Sequence, residues 1–116
     1  MTSSLTFGAV VRVRDYPFTD QEGSKTAPAV VLSSSQYHEE CMDVILARIT
    51  SRLQNKTRFG SVVVQDFMAC GLSKESVIKP VIMTVRQDLV HDVLGQLDAR
   101  TLANLRRTFK TVLGCI

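Results

Sequence analysis

Residues 17–35 read PFTDQEGSKTAPAVVLSSS, a polar, glycine-containing turn that runs into Pro28 and then into the apolar run Ala29, Val30, Val31, Leu32. That length and β-branched content predict a buried strand over Ala29–Ser33, with Gly23 supplying the turn before it. A loop poor in apolar residues and attached to a rigid strand is where a small fold keeps binding and catalytic groups. The stretch therefore points to a β architecture and to the first place to look for a site.

Upstream, Ala9–Arg14 (AVVRVR) places Val11 and Val13 on one face and Arg12 and Arg14 on the other, a strand that ends at Asp15-Tyr16-Pro17 because proline removes a ladder donor. Downstream, Tyr37–Glu40 reads as a polar loop, Met42–Ile49 as a third strand and the basic Arg52–Arg58 (RLQNKTR) as an exposed loop. A fourth strand is expected at Ser61–Gln65. Asp66 then caps one helical turn, Phe67–Cys70, which Gly71 stops. Val77–Val85 (VIKPVIMTV) is a strand interrupted by Pro80, which implies an edge, a bulge or a register change. A short extended piece, Leu89–Leu94, leads to a helix capped by Asp98 and closed by Gly114, with Leu102, Leu105, Phe109, Val112 and Leu113 at helical spacing. Five or six strands with a terminal helix, in non-alternating order, predict a mainly β (α+β) fold: a compact antiparallel barrel-like sheet.

With 116 residues the chain can close one hydrophobic core, so a single domain over 1–116 is expected. Its apolar runs fall far short of the ~20 residues of a membrane-spanning helix, and the start MTSSLTFGAVV lacks the pattern of a secretory signal, so the expected location is cytoplasmic. Cys41, Cys70 and Cys115 form no C-x-x-C pair; each is expected to be a small buried or half-buried apolar residue rather than part of a disulfide framework or zinc site. His38 and His91 have no neighbouring ligand set and are read as surface or strand-face histidines, with no metal. A net charge of +3 and a pI near 9.0 permit a nucleic-acid partner. Nucleotide-binding, serine-hydrolase and zinc-protease motifs are absent.

The Pro-Phe-Thr-Asp turn, the Gly-Ser-Lys segment, the Pro-Ala-Val-Val-Leu-Ser strand and the exit Ala47-Arg48-Ile49-Thr50-Ser51 resemble the MazF/PemK family of toxin ribonucleases, with the resemblance extending from Gly8 to Leu113. It implies a small SH3-like barrel, similar also to gyrase-directed toxins, that works as a homodimer without cofactor. It further implies sequence-selective, metal-independent cleavage of single-stranded RNA, mRNA in particular, and neutralisation by a cognate antitoxin protein. In such chemistry the ribose 2′-hydroxyl attacks phosphorus, and the protein must stabilise a dianionic phosphorane.

Within that resemblance Thr50 matches the family's catalytic threonine. The family's catalytic arginine falls at Ala27, where no guanidinium is present. Either an introduced substitution or a natural loss or rerouting of catalysis accounts for the alanine; the otherwise intact pattern favours the first, and RNA binding with poor cutting is expected. Phe18 is read as a stacking platform or a core residue, and Ser24 as a phosphate or base contact. Lys25 is either a phosphate contact or a solvated loop cation. Ser51, Arg52, Lys56, Arg58 and Lys79 are candidates for an RNA groove, with solvated side chains as the alternative. Two readings compete with the ribonuclease: a non-catalytic binding module aimed at a protein such as gyrase, and a regulatory barrel without toxicity.

Overall fold

The computed structural model describes residues 5–14 and 26–115. The chain forms β1 (Ala9–Arg14), β2 (Thr26–Val31), α1 (Ser35–Glu40), β3 (Asp43–Thr50), β4 (Val62–Val63), β5 (Val77–Arg86), β6 (Val90–Gln96) and α2 (Ala99–Leu113), with 3-10 turns at Leu53–Thr57 and Gln87–Leu89. The strands make one antiparallel sheet in the order β4-β5-β3-β2-β1-β6.

Both faces of the central strands are largely buried, which is why β2 reads as a nearly continuous apolar run. On one face Val10, Val30, Ala47 and Ile49 pack with Leu105 and Phe109 of α2. On the other, Val11, Val13, Ala27, Ala29, Val31, Val44 and Leu46 close on one another, with Leu5 beneath them and Leu89 and Val90 against them. The sheet therefore curls. Its two edges approach without pairing as strands: the turn after β4 presses on β6 so closely that a Cβ on Gly71 would lie 2.1 Å from the Leu94 carbonyl oxygen, and one on Gly95 2.4 Å from that of Cys70. Gly71 also has φ +88°, which L side chains adopt only at a cost.

The terminal helix follows its sequence signals. Asp98 caps it by accepting from Thr101 N at 3.0 Å and Thr101 Oγ1 at 2.7 Å, and Gly114 closes it in the left-handed conformation. Burial is the largest single influence on the Asp98 carboxyl and pushes its pKa up. The hydrogen bonds from Thr101 and from Cys70 Sγ together outweigh it and hold the group below its ordinary value.

Several sequence expectations need correction. Tyr37–Glu40 belongs to helix α1, not to a loop; Ser34 caps it, accepting from Tyr37 N at 3.2 Å. His38 is buried rather than on a surface or strand face: its Nδ1 lies 2.7 Å from the Leu5 carbonyl oxygen and its Nε2 2.6 Å from Ser33 Oγ, which also accepts from Ile45 N. Neutral imidazole with the proton on Nδ1 satisfies every partner of that chain. The second strand begins at Thr26 and ends at Val31, so Pro28 lies inside it. Position 28 tolerates proline because its pairings are Arg12↔Pro28 on one side only. The basic loop contains a 3-10 turn, and strand four shrinks to two residues. Strand six is displaced to Val90–Gln96, and β5 is not broken at Pro80 but continuous, whereas the register change expected at that proline is present against β3. Of the cysteines only Cys70 is buried; Cys41 and Cys115 are exposed.

Candidate active site

Alternation along β2 and β3 sets the location of the site. Ala27, Ala29 and Val31 share a face with Val44, Leu46, Arg48 and Thr50, in the register Ala29↔Arg48 and Val31↔Leu46. Continued by two residues, that register sets Ala27 across from Thr50. The apolar face thus ends, where β2 begins and β3 exits, in a guanidinium and a hydroxyl.

A cavity of about 480 Å³ opens there, lined by Thr26, Ala27, Pro28, Arg48, Ile49, Thr50, Ser51, Arg52, Leu72, Ser73, Lys74 and Ser76. Ala27 is 6% and Thr50 8% exposed. Three cations and no carboxylate are in this lining, which suits an anion. Thr50 Oγ1 accepts a hydrogen bond from Arg52 N at 3.1 Å. One of its two lone pairs is so engaged, and the hydroxyl hydrogen is left to donate elsewhere. Ser76 Oγ donates to the Lys74 carbonyl at 2.8 Å and is spent on the loop. A second hollow of about 320 Å³ shares Thr26, Pro28, Leu72 and Ser73 with the first and continues to Arg12 and Leu94. Arg12 Nε there stands 3.3 Å from Asp92 Oδ1, a charge contact without the alignment of a hydrogen bond.

A larger hollow, about 650 Å³, lies elsewhere, beside His38 and Cys41. Glu39, Glu40, Asp88 and Asp92 line it against Arg86 alone among the arginines and lysines, so it repels a phosphate where the smaller one attracts it. The charge balance, rather than size, selects the smaller cavity.

Of the residues singled out from the sequence, the structure brings together Ala27, Thr50, Ser51 and Arg52. Lys56, Arg58 and Lys79 do not line the cavity; the first two are exposed on the segment after β3 and Lys79 is half-buried in β5. Phe18, Ser24 and Lys25 lie outside the described residues. Sequence reading passed over Lys74, Ser73 and above all Arg48. The signal for Arg48 was available, since it stands two residues before Thr50 in a strand and so on the same face. No group of His, Cys, Asp and Glu among the described residues could hold a metal ion. No described helix is long and apolar enough to cross a membrane.

A curled antiparallel sheet with a cationic, hydroxyl-bearing hollow at its strand ends defines a small β protein whose cavity has the charge to attract an anion. The model of the family described as PemK-like, MazF-like toxin of type II toxin-antitoxin system matches residues 7–113, and the chain belongs to that family. Among solved structures it is similar to MazE-MazF from Deinococcus radiodurans, at 23% identity and TM-score 0.72, covering 94% of this chain and 95% of the other. It is also similar to the Mycobacterium tuberculosis toxin MazF-mt6, at 18% identity and TM-score 0.73, covering 91% and 96%. An endoribonuclease in complex with its cognate antitoxin from Mycobacterial species has 20% identity and TM-score 0.67, covering 94% and 92%. These likenesses show the shared fold. No match was found among curated proteins.

Proposed function

We propose that the chain is a sequence-selective, metal-independent endoribonuclease that cuts single-stranded mRNA in the cytoplasm, acting as a homodimer that a cognate antitoxin restrains. The observation that carries this reading is the cavity in which the Thr50 hydroxyl stands among Arg48, Arg52 and Lys74 with no carboxylate in the lining.

In the reaction the 2′-hydroxyl oxygen bonds to phosphorus, the P–O5′ bond breaks, and its electron pair leaves on O5′. The proton lost from the 2′-hydroxyl is balanced by one gained at O5′, with solvent as the carrier. The products are a 2′,3′-cyclic phosphate and a 5′-hydroxyl, so the atoms balance with no further reactant. Charge grows on the non-bridging oxygens as the phosphorane forms, and preorganised donors that strengthen with that charge lower the barrier. The Thr50 hydroxyl donates to one such oxygen. Ser51 and Arg52, at the mouth of the cavity, hold the flanking backbone. Lys56, Arg58 and Lys79, with Phe18, Ser24 and Lys25, extend the contact with the strand beyond the scissile bond.

Ala27 leaves its place without a guanidinium, a loss of roughly 10² to 10³ in rate unless another cation of the cavity takes up the charge. The antitoxin is supported by the solved relatives that are complexes with MazE or a cognate antitoxin, and a cationic groove is complementary to an anionic blocker. The test is incubation of the chain, and of Ala27→Arg, with mixed RNA in the presence of a chelator. Discrete products ending in cyclic phosphate are expected; RNA left whole by both proteins would refute the reading.

A further inference from the structure

The half-buried arginine of the cavity is Arg48, and among the described residues it has no partner. Among the described residues the ion pairs are Arg12 with Asp92 and Arg86 with Asp88; Arg48 makes neither an ion pair nor a side-chain hydrogen bond. An arginine carries five donors that cannot be switched off by deprotonation, and those of Arg48 stay within reach of water: among the described residues the buried side-chain polar atom without a hydrogen bond is Arg12 Nε. Uncommitted donors beside the Thr50 hydroxyl, in a lining without a carboxylate, are open to an anion from outside.

Two features of the backbone set Arg48 in this position. Its cross-strand partner is Ala29 and its diagonal neighbour Ala27, both with the smallest side chain that still has a Cβ, so the long arginine has room over β2. On its other side the ladder with β5 is interrupted: Ala47 pairs with Ile82 but Ile49 with Ile78, so residues 79–81 bulge opposite Arg48. Pro80, which has no N–H to give, lies in that bulge. The register of β3 against β5 is therefore broken opposite the residue that faces the cavity, and bulges of this kind re-aim side chains beside functional sites.

We infer that Arg48 is the catalytic arginine of this chain: its guanidinium contacts the scissile phosphate from β3, on the same face as the Thr50 hydroxyl, and takes up the charge that Ala27 cannot. This rests on the ribonuclease reading above and deepens it. Catalysis is rerouted across one strand pair, and the sequence as it stands is a competent enzyme. Arg48 binds the two non-bridging oxygens through its planar fork as the O2′–P bond forms and the P–O5′ bond breaks, while Thr50 donates to one of them.

The experiment compares single-turnover cleavage of one single-stranded RNA, with chelator present, by the unaltered chain, Arg48→Ala, Arg48→Lys, Ala27→Arg and the double variant Ala27→Arg/Arg48→Ala. The unaltered chain is expected to cut. Arg48→Ala should lose about 10²- to 10³-fold, and Arg48→Lys should recover little of it, since an ammonium has no fork. The double variant should regain most of the rate, because position 27 adjoins position 48 across the strands. A role of Arg48 in packing alone would leave the double variant as slow as Arg48→Ala. Should Arg48→Ala not fold, Arg48→Met keeps the stem and serves in both comparisons. The inference is overturned if Arg48→Ala cuts as fast as the unaltered chain, or if only proteins carrying Ala27→Arg cut, whatever stands at 48. If none of the five cuts any RNA, the ribonuclease reading falls and this inference with it.

Discussion

Replacing Thr50 by valine removes one hydroxyl from the cavity and little else. The side chain is 8% exposed, in a strand, and valine keeps both the branching and nearly the volume. Oγ1 accepts from Arg52 N at 3.1 Å, so the substitution frees one backbone donor. Arg52 is exposed and water replaces the lost acceptor, which limits the stability cost to about 1 kcal/mol. For a domain near this size that lowers Tm by at most about 4–8 °C. At 25 °C a fold with even ~5 kcal/mol of stability stays almost wholly native after such a loss, so unfolding cannot account for a large drop in rate. The loss of a donor aimed at the developing phosphorane charge, in contrast, costs roughly 10² to 10³ in the chemical step. Single-turnover cleavage of a short single-stranded RNA, protein in excess and chelator present, reads that step directly. Thr50→Ser, which keeps the hydroxyl, should stay within about tenfold of the parent. A Thr50→Val protein that cuts within about threefold of the parent has lost less than ~1 kcal/mol of transition-state stabilisation, and the assignment of Thr50 is then wrong.

Gly71→Ala should destabilise the fold by more than about 2 kcal/mol, since the new Cβ meets the Leu94 carbonyl at a residue held at φ +88°; an unchanged urea midpoint would show that the turn after β4 does not pin β6. Asp98→Ala should cost about 0.5–2 kcal/mol at pH 7. Because the folded Asp98 carboxyl titrates below its ordinary value, its contribution is whole above about pH 4 and fades as pH falls through the folded value. The stability gap between parent and Asp98→Ala should therefore narrow in acid, and a gap constant from pH 7 to pH 2 would refute the cap's role. Thiol labelling of the native protein should modify Cys41 and Cys115 but spare Cys70, which is buried and whose thiol burial pushes up; rapid labelling of all three would contradict that packing.

Much of this molecule was legible along the chain because its signals are local. The alternation of Ala9–Arg14, the Asp98 cap, the helical spacing of Leu105 and Phe109 and the stop at Gly114 each depend on neighbours within a turn or two, and each appears where the residues say. Helix α1 was not legible, because six residues carry too little periodicity and the burial of His38 comes from Leu5, 33 residues away. The site divides in the same manner. The exit around Thr50 and Ser51 carried the resemblance and Ala27 the departure from it, whereas the exclusion of Lys56, Arg58 and Lys79 from the cavity depends on how the sheet curls.

By itself the sequence determined which residues are able to do chemistry, and a small β fold to carry them, since side-chain type and short-range pattern are properties of the chain. Only the tertiary structure decided which of them meet. Strand register sets Arg48 and Thr50 beside Ala27 across a gap of some twenty residues, the bulge at Pro80 interrupts β5 opposite Arg48, and the absence of any acid from that cavity's lining is a fact of packing. Register and curvature arise from contacts between distant segments, which no window along the chain contains.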